Sequence, residues 1–144
     1  MTSYADALRK GLAAHRQSER ARHQMEEVLS AASKEIGELL QTDVALRFET
    51  HERYKRVPPT AEAPVGVSAS REVFTGLIAR SPHGFEVLAD IKFGELGYPV
   101  TLRWEGDFRQ ADDRAAFESV LAELLESRQT GGKLQQLVLG AAAK

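Results

Sequence analysis

Cysteine is absent from the 144 residues, so disulfides, thiolate nucleophiles and cysteine-ligated zinc are excluded together. The same absence fits a reducing compartment, and a soluble, cytoplasmic protein is expected. No apolar run is long enough to span a bilayer; the longest candidate, Leu134 to Ala143, is interrupted by Gln135, Gln136 and Gly140. The opening MTSYADALRKGLAAHRQSER is polar and periodic, with none of the apolar stretch of a signal peptide. A dominant charge is missing too. A net charge of −2 argues against a dedicated nucleic-acid binder and equally against an acidic mimic of nucleic acid. Any electrostatic partner has to be met by a local patch.

The motifs of catalysis are missing in the same way. There is no G-x-S-x-G elbow, no S-x-x-K and no H-E-x-x-H. Gly131-Gly132-Lys133 follows a helical pattern and lacks the leading glycine of a P-loop, so it reads as a helix stop. His15, Glu19 and His23 share a helix face, but the two histidines stand about 12 Å apart, too far to share an ion within one chain. Glu105, Asp107, Asp112 and Asp113 match no EF-hand spacing, and a turn followed by a helix start accounts for all four. The expectation is therefore no catalytic residue, no cofactor and no metal.

What is present is patterned. In FEVLADIKFGELGYPVTLRW, Phe85, Val87, Ala89, Ile91 and Phe93 alternate with Glu86, Leu88, Asp90 and Lys92. After GELG, Tyr98, Val100, Leu102 and Trp104 alternate in turn. That period of two predicts a hairpin with one buried face. Val44 to Tyr54 predicts a first strand, with Val44, Leu46, Phe48 and Thr50 facing in and Arg47, Glu49, His51 and Arg53 facing out. Val73 to Ala79 predicts another, in which Gly76 marks a bulge or a close backbone approach.

Helices flank these strands. Ser3 to about Gln41 predicts one long helix opened by a Ser3–Asp6 capping box and roughly 55–60 Å long, more than the width of a small domain. Its apolar spacing holds at both ends and fails across HRQSERARH. The first half is expected to overhang, bend back or meet another molecule. DDRAAFESVLAELLESR predicts a second helix with Phe117, Val120, Leu121, Leu124 and Leu125 on one stripe. Gln129 to Gly132 should end it, and a short last helix should run from Lys133 to about Leu139. Residues 55–72, rich in proline, read as a long loop.

The expected fold is α+β: a long N-terminal helix (1–42), then a core (43–144) with an antiparallel meander sheet of about four strands and two C-terminal helices on one face. All of it makes a single domain. Charge along the long helix is segregated: Arg9, Lys10, Arg16, Arg20 and Arg22 precede Glu26, Glu27, Glu35, Glu38 and Asp43. Antiparallel pairing would set basic halves against acidic ones, so a homodimer through Leu8 to Leu29 is expected. The functional expectation is a non-enzymatic protein-interaction module, in style a small inhibitor (immunity or anti-CRISPR-like) or adaptor. Its contact residues are Arg9, Arg16, Arg20 and Arg22 on the arm, with Arg47, His51 and Arg53 on the outer sheet face. The alternative is a nucleic-acid-associated module using the same basic arm.

Overall fold

In a computed structural model that describes residues 3–56 and 69–142, the first element is helix α1 (Tyr4–Leu40), 37 residues and about 55 Å long. Ser3 caps it, its hydroxyl accepting from the Asp6 amide at 3.3 Å. The reciprocal half of the expected capping box is replaced: the Asp6 carboxylate takes Arg9 at 2.9 Å instead. Gln41, in the left-handed region at φ 55°, ends the helix, and the Thr42 amide donates back to the Gly37 carbonyl at 3.2 Å.

Five strands follow: β1 (Ala45–Arg56), β2 (Ala69–Ser81), β3 (Gly84–Gly94), β4 (Gly97–Trp104) and β5 (Asp107–Ala111). They form one sheet in sequential order, antiparallel throughout. The fold is the expected α+β arrangement with one more strand than the sequence implied. Strand β5 shows no alternation, because Ala111 is its only buried residue. Its pairing with β4, from Val100↔Ala111 to Trp104↔Asp107, holds it in place without help from a buried face. The expected loop is shorter as well. Pairing of β1 with β2 continues to Arg56↔Ala69, so residues 69–72 are strand, and residues 57–68 lie outside the described part.

Helix α2 (Arg114–Glu126) is capped by Asp113, which accepts from the Ala116 amide at 2.8 Å. Helix α3 (Arg128–Ala142) begins at once, so Gly131 and Gly132 lie inside a helix rather than stopping one. Ser127 makes the sharp break possible from both sides. Its amide donates to the Leu124 carbonyl at 3.1 Å, and its hydroxyl accepts from the Thr130 amide at 3.2 Å. Side chains of α1, α2 and α3 meet one sheet face in a single core around Met25, Leu29, Leu77, Leu102, Phe117 and Leu124. Lys133 closes a remaining gap. Pairing between β3 and β4 begins only at Asp90↔Arg103, and Lys133 donates to the Val87 carbonyl at 2.6 Å on the stretch before it.

One irregularity changes which residues face where. Leu77 pairs with Ala89 but Ile78 pairs with Val87, so Leu88 is an extra residue in β3. Ala89, Ile91 and Leu88 face the core as part of one buried set. Phe85 and Val87, expected to join them, are turned to the outer face beside Arg80 and Ile78. Gly76 sits next to this shift, and a Cβ there would come within 3.1 Å of the Phe74 ring and 3.2 Å of the Ala89 carbonyl. Both readings of Gly76 hold: it lies beside the bulge and is a point of close approach.

Candidate interaction surfaces

The first surface is the N-terminal half of α1. Every residue from Tyr4 to Ala13 is exposed, including Tyr4 at 84%, Leu8 at 63% and Leu12 at 45%. Contact with the body starts near Ala21, whose side chain rests against Gly97 in the β3–β4 turn. Gly97 has φ +90°, and a Cβ there would stand 2.5 Å from that of Ala21. Ser33 of the helix holds the start of β1, while Arg22 stacks over Phe93 at 4.3 Å and Phe48 at 5.6 Å. Moving toward the N-terminus of the helix is thus moving toward the β3–β4 turn, and the arm leaves the sheet at that end.

Tyr4, Leu8 and Leu12 each precede Ala21, Met25 and Leu29 by the same interval. At ~100° per residue that interval turns the arm's stripe a quarter turn from the buried stripe. Sheet or no sheet, the arm's apolar residues face elsewhere. Of the residues expected to pair two chains, Met25, Val28 and Leu29 are already buried in the protein's own core. Only the stripe through Leu12 is left for such a contact.

The arm's cations divide into paired and free. Arg9 meets Asp6 at 2.9 Å, and Arg22 lies 3.9 Å from Glu26 while stacking on the phenylalanines. Arg16 and Arg20 have no ion-pair partner among the described residues. His15 and His23 each sit 3.1 Å from the glutamate one turn on, Glu19 and Glu27. Among the described residues no cluster of three metal-ligating side chains occurs.

The outer sheet face is the second surface; it is charged, as the sequence suggested, but its charges are paired with one another. Glu49 forms a two-point pair with Arg80, at 2.5 and 2.7 Å, and takes His51 Nε2 at 2.9 Å. His51 stacks on Phe85 with ring centres 5.1 Å apart, and Arg80 lies over the same ring at 5.1 Å. Arg53 binds Asp90 at 3.1 and 2.8 Å and Glu72 at 3.1 Å, with Phe74 beneath its guanidinium at 4.4 Å. Ile78, paired on this face with Arg47 and Val87, is fully buried. Arg80's hydrogen bonds hold the Glu49 carboxyl below its ordinary 4.5. Asp90 does the converse for Arg53, fixing its charge more firmly.

His51 and Arg53 are therefore structural before they are anything else, whereas Arg47 has no ion pair among the described residues. Glu49, Arg80, Phe85 and Phe74 were missed as partners. The signal was available in Val87-Leu88-Ala89, three apolar residues in a row that break strict alternation. An open groove of about 990 Å³ runs around the foot of α1 between Glu38, Asp43, Arg47 and Arg80. Its charges are of both signs and converge on no point. No family model, curated protein or solved structure matches the chain.

Proposed function

We propose that the protein is a non-enzymatic interaction module of the inhibitor or adaptor kind, with the helical arm as its docking element. The observation that carries this is the exposed stripe Tyr4, Leu8 and Leu12 on a helix that has left its own domain. Anchors at successive turns are what a helix presents to an apolar groove. Arg9, Arg16 and Arg20 lie along one side of the stripe, so the fitting partner is a protein whose groove carries carboxylates along that side. Charge at such a rim sets on-rate and specificity more than affinity. The reading also assigns the protein to the cytoplasm, supported by its lack of cysteine. No helix among the described residues is long and apolar enough to cross a membrane.

Capture from lysate on the full chain, with and without nuclease, tests this beside a Tyr4→Ala/Leu8→Ala/Leu12→Ala variant. A stoichiometric protein that survives nuclease and is lost with the triple variant supports the module. Equal recovery on both baits refutes it. Arg16 and Arg20, without carboxylate partners among the described residues, favour nucleic acid as the second reading. In that case binding falls steeply with salt, and nuclease empties the bait.

A further inference from the structure

Strand β1 forms one margin of the sheet, and two observations fix which of its residues point outward. The Leu46 amide donates to Ser33 Oγ at 2.8 Å, so it is not aimed at β2, and Leu46↔Ala79 exchanges no backbone hydrogen bonds. The hydroxyls of Thr50 and Thr75 approach to 3.3 Å, as side chains do across such a pair. By alternation Phe48, Thr50, Glu52 and Tyr54 turn their N–H and C=O groups to the open edge. Among the described residues none of these amides meets a partner there.

Sheet margins are ordinarily blunted by shortness, proline, a bulge or charged side chains; of these β1 has only charges, and they are of both signs. At the other margin, β5 is only 5 residues long. Strand β1 is 12 residues long with no proline, and its register with β2 is unbroken. It remains a template for strand addition.

We propose that this edge pairs antiparallel with the same edge of a second copy, across a twofold axis at His51. The charge pattern selects that register. Outward amides must face outward amides, which permits axes only at successive positions along the strand. An axis at Thr50 sets Arg47 against Arg53, and one at Glu52 sets the two Glu52 carboxylates against each other. The axis at His51 sets Glu49 against Arg53, Phe48 against the exposed Tyr54, and Thr50 against Glu52. The same register also opposes the like-charged positions Arg47 and Lys55, one step beyond the Phe48–Tyr54 pair, and the three favourable pairs inside it outweigh them. Helix α1 does not obstruct it, because α1 moves from Ser33 beside Leu46 across to Gly97 on β4. The contact is isologous and closes on itself, joining two sheets into one. It uses no residue of the arm.

Sedimentation velocity of the full chain over a concentration series tests the proposal, and a reversible dimer is expected. Glu52→Pro removes an outward amide that has no partner among the described residues, so the fold tolerates it and the dimer is lost. Thr50→Lys sets a cation against Glu52 and tightens the dimer, by about three- to tenfold for the two symmetric pairs, while Thr50→Glu loosens it comparably. With an axis at Thr50 the lysine variant would weaken it instead. The chain has no cysteine, so His51→Cys gives a clean readout. Opposed across the axis, the two Cα atoms come within about 5 Å, and mild oxidation links the dimer. Tyr54→Cys, facing Phe48, stays unlinked. A chain monomeric at every concentration overturns the proposal. So does a dimer indifferent to both Glu52→Pro and Thr50→Glu, a dimer that His51→Cys fails to link, or one abolished by the Tyr4, Leu8 and Leu12 substitutions.

Discussion

The two halves of α1 carry similar apolar residues at similar spacing and meet opposite fates. Met25 and Leu29 are 0% and 1% exposed, while Tyr4 and Leu8, on the same uninterrupted helix, are 84% and 63% exposed. Helical propensity cannot distinguish them, since both halves are equally helical. What separates them is the end of the sheet at Gly97 and the quarter-turn offset between their stripes. A helix longer than its sheet thus has one half that stabilises the fold and one half whose apolar side chains stay exposed. Side-chain truncation on each half should expose that difference directly.

The largest effect is expected at Met25. Met25→Ala removes a fully buried side chain from the seam between α1 and the sheet, at a cost of about 2–5 kcal/mol in urea unfolding. A loss under 1 kcal/mol would mean that the body half of α1 is not anchored as described. Next comes the point where the arm departs. Gly97→Ala combines φ +90° with a Cβ 2.5 Å from that of Ala21, and should cost about 1–3 kcal/mol. Ala21→Gly in the same chain should recover part of that loss, because it removes the clashing carbon and leaves only the backbone strain. A double-mutant cycle checks this, and strict additivity would show that the two positions do not touch.

These same elements show what could be read from the residues and what could not. Apolar spacing gave the body of α1, the inward set of β1 and the stripe of α2, because burial enforces a period wherever an element covers the core. Ala111 and Ser127 mark where it failed. Strand β5 is held by main-chain pairing with β4, which leaves no mark on side-chain order, and α3 starts on a serine already in use as the end of α2. The surfaces were less legible still. A single inserted residue, Leu88, carried Phe85 and Val87 to the outer face and there assembled partners for His51 and Arg80. Alternation specifies faces only relative to a register, and a bulge resets the register without changing composition.

The outer cluster supplies a smaller, pH-dependent contrast with the arm. Glu49 has a folded value lowered chiefly by Arg80, so its contribution is complete above its ordinary 4.5 and is lost as pH falls through the folded value. Arg80 and His51 are the side chains facing it, and both stack on the ring of Phe85. In Arg80→Met the folded value returns toward 4.5, so the urea midpoint should be lower at neutral pH and should fall less on acidification than in the parent chain. Identical acid profiles for the two proteins would remove Arg80 as the cause. Arg9 and Asp6, exposed on the arm, form the comparison pair, and Arg9→Met should leave the profile unchanged.

The smallest effect on stability is expected where the effect on function should be greatest. Leu8→Ala and Leu12→Ala remove side chains that are exposed on the arm, and alanine is at least as good a helix former as leucine. Unfolding midpoints should therefore stay within about 0.5 kcal/mol of the parent. A loss of 2 kcal/mol or more would mean that the arm folds back onto the domain in solution, and the contrast between the halves would collapse. With stability unchanged, loss of a captured partner cannot be ascribed to unfolding. The comparison then becomes quantitative: Met25→Ala lowers stability, and it lowers partner capture only as far as the folded fraction falls. Leu8→Ala lowers capture alone. Residues of one helix and one chemical type are then separated by whether their burial lies inside the chain or awaits a second molecule.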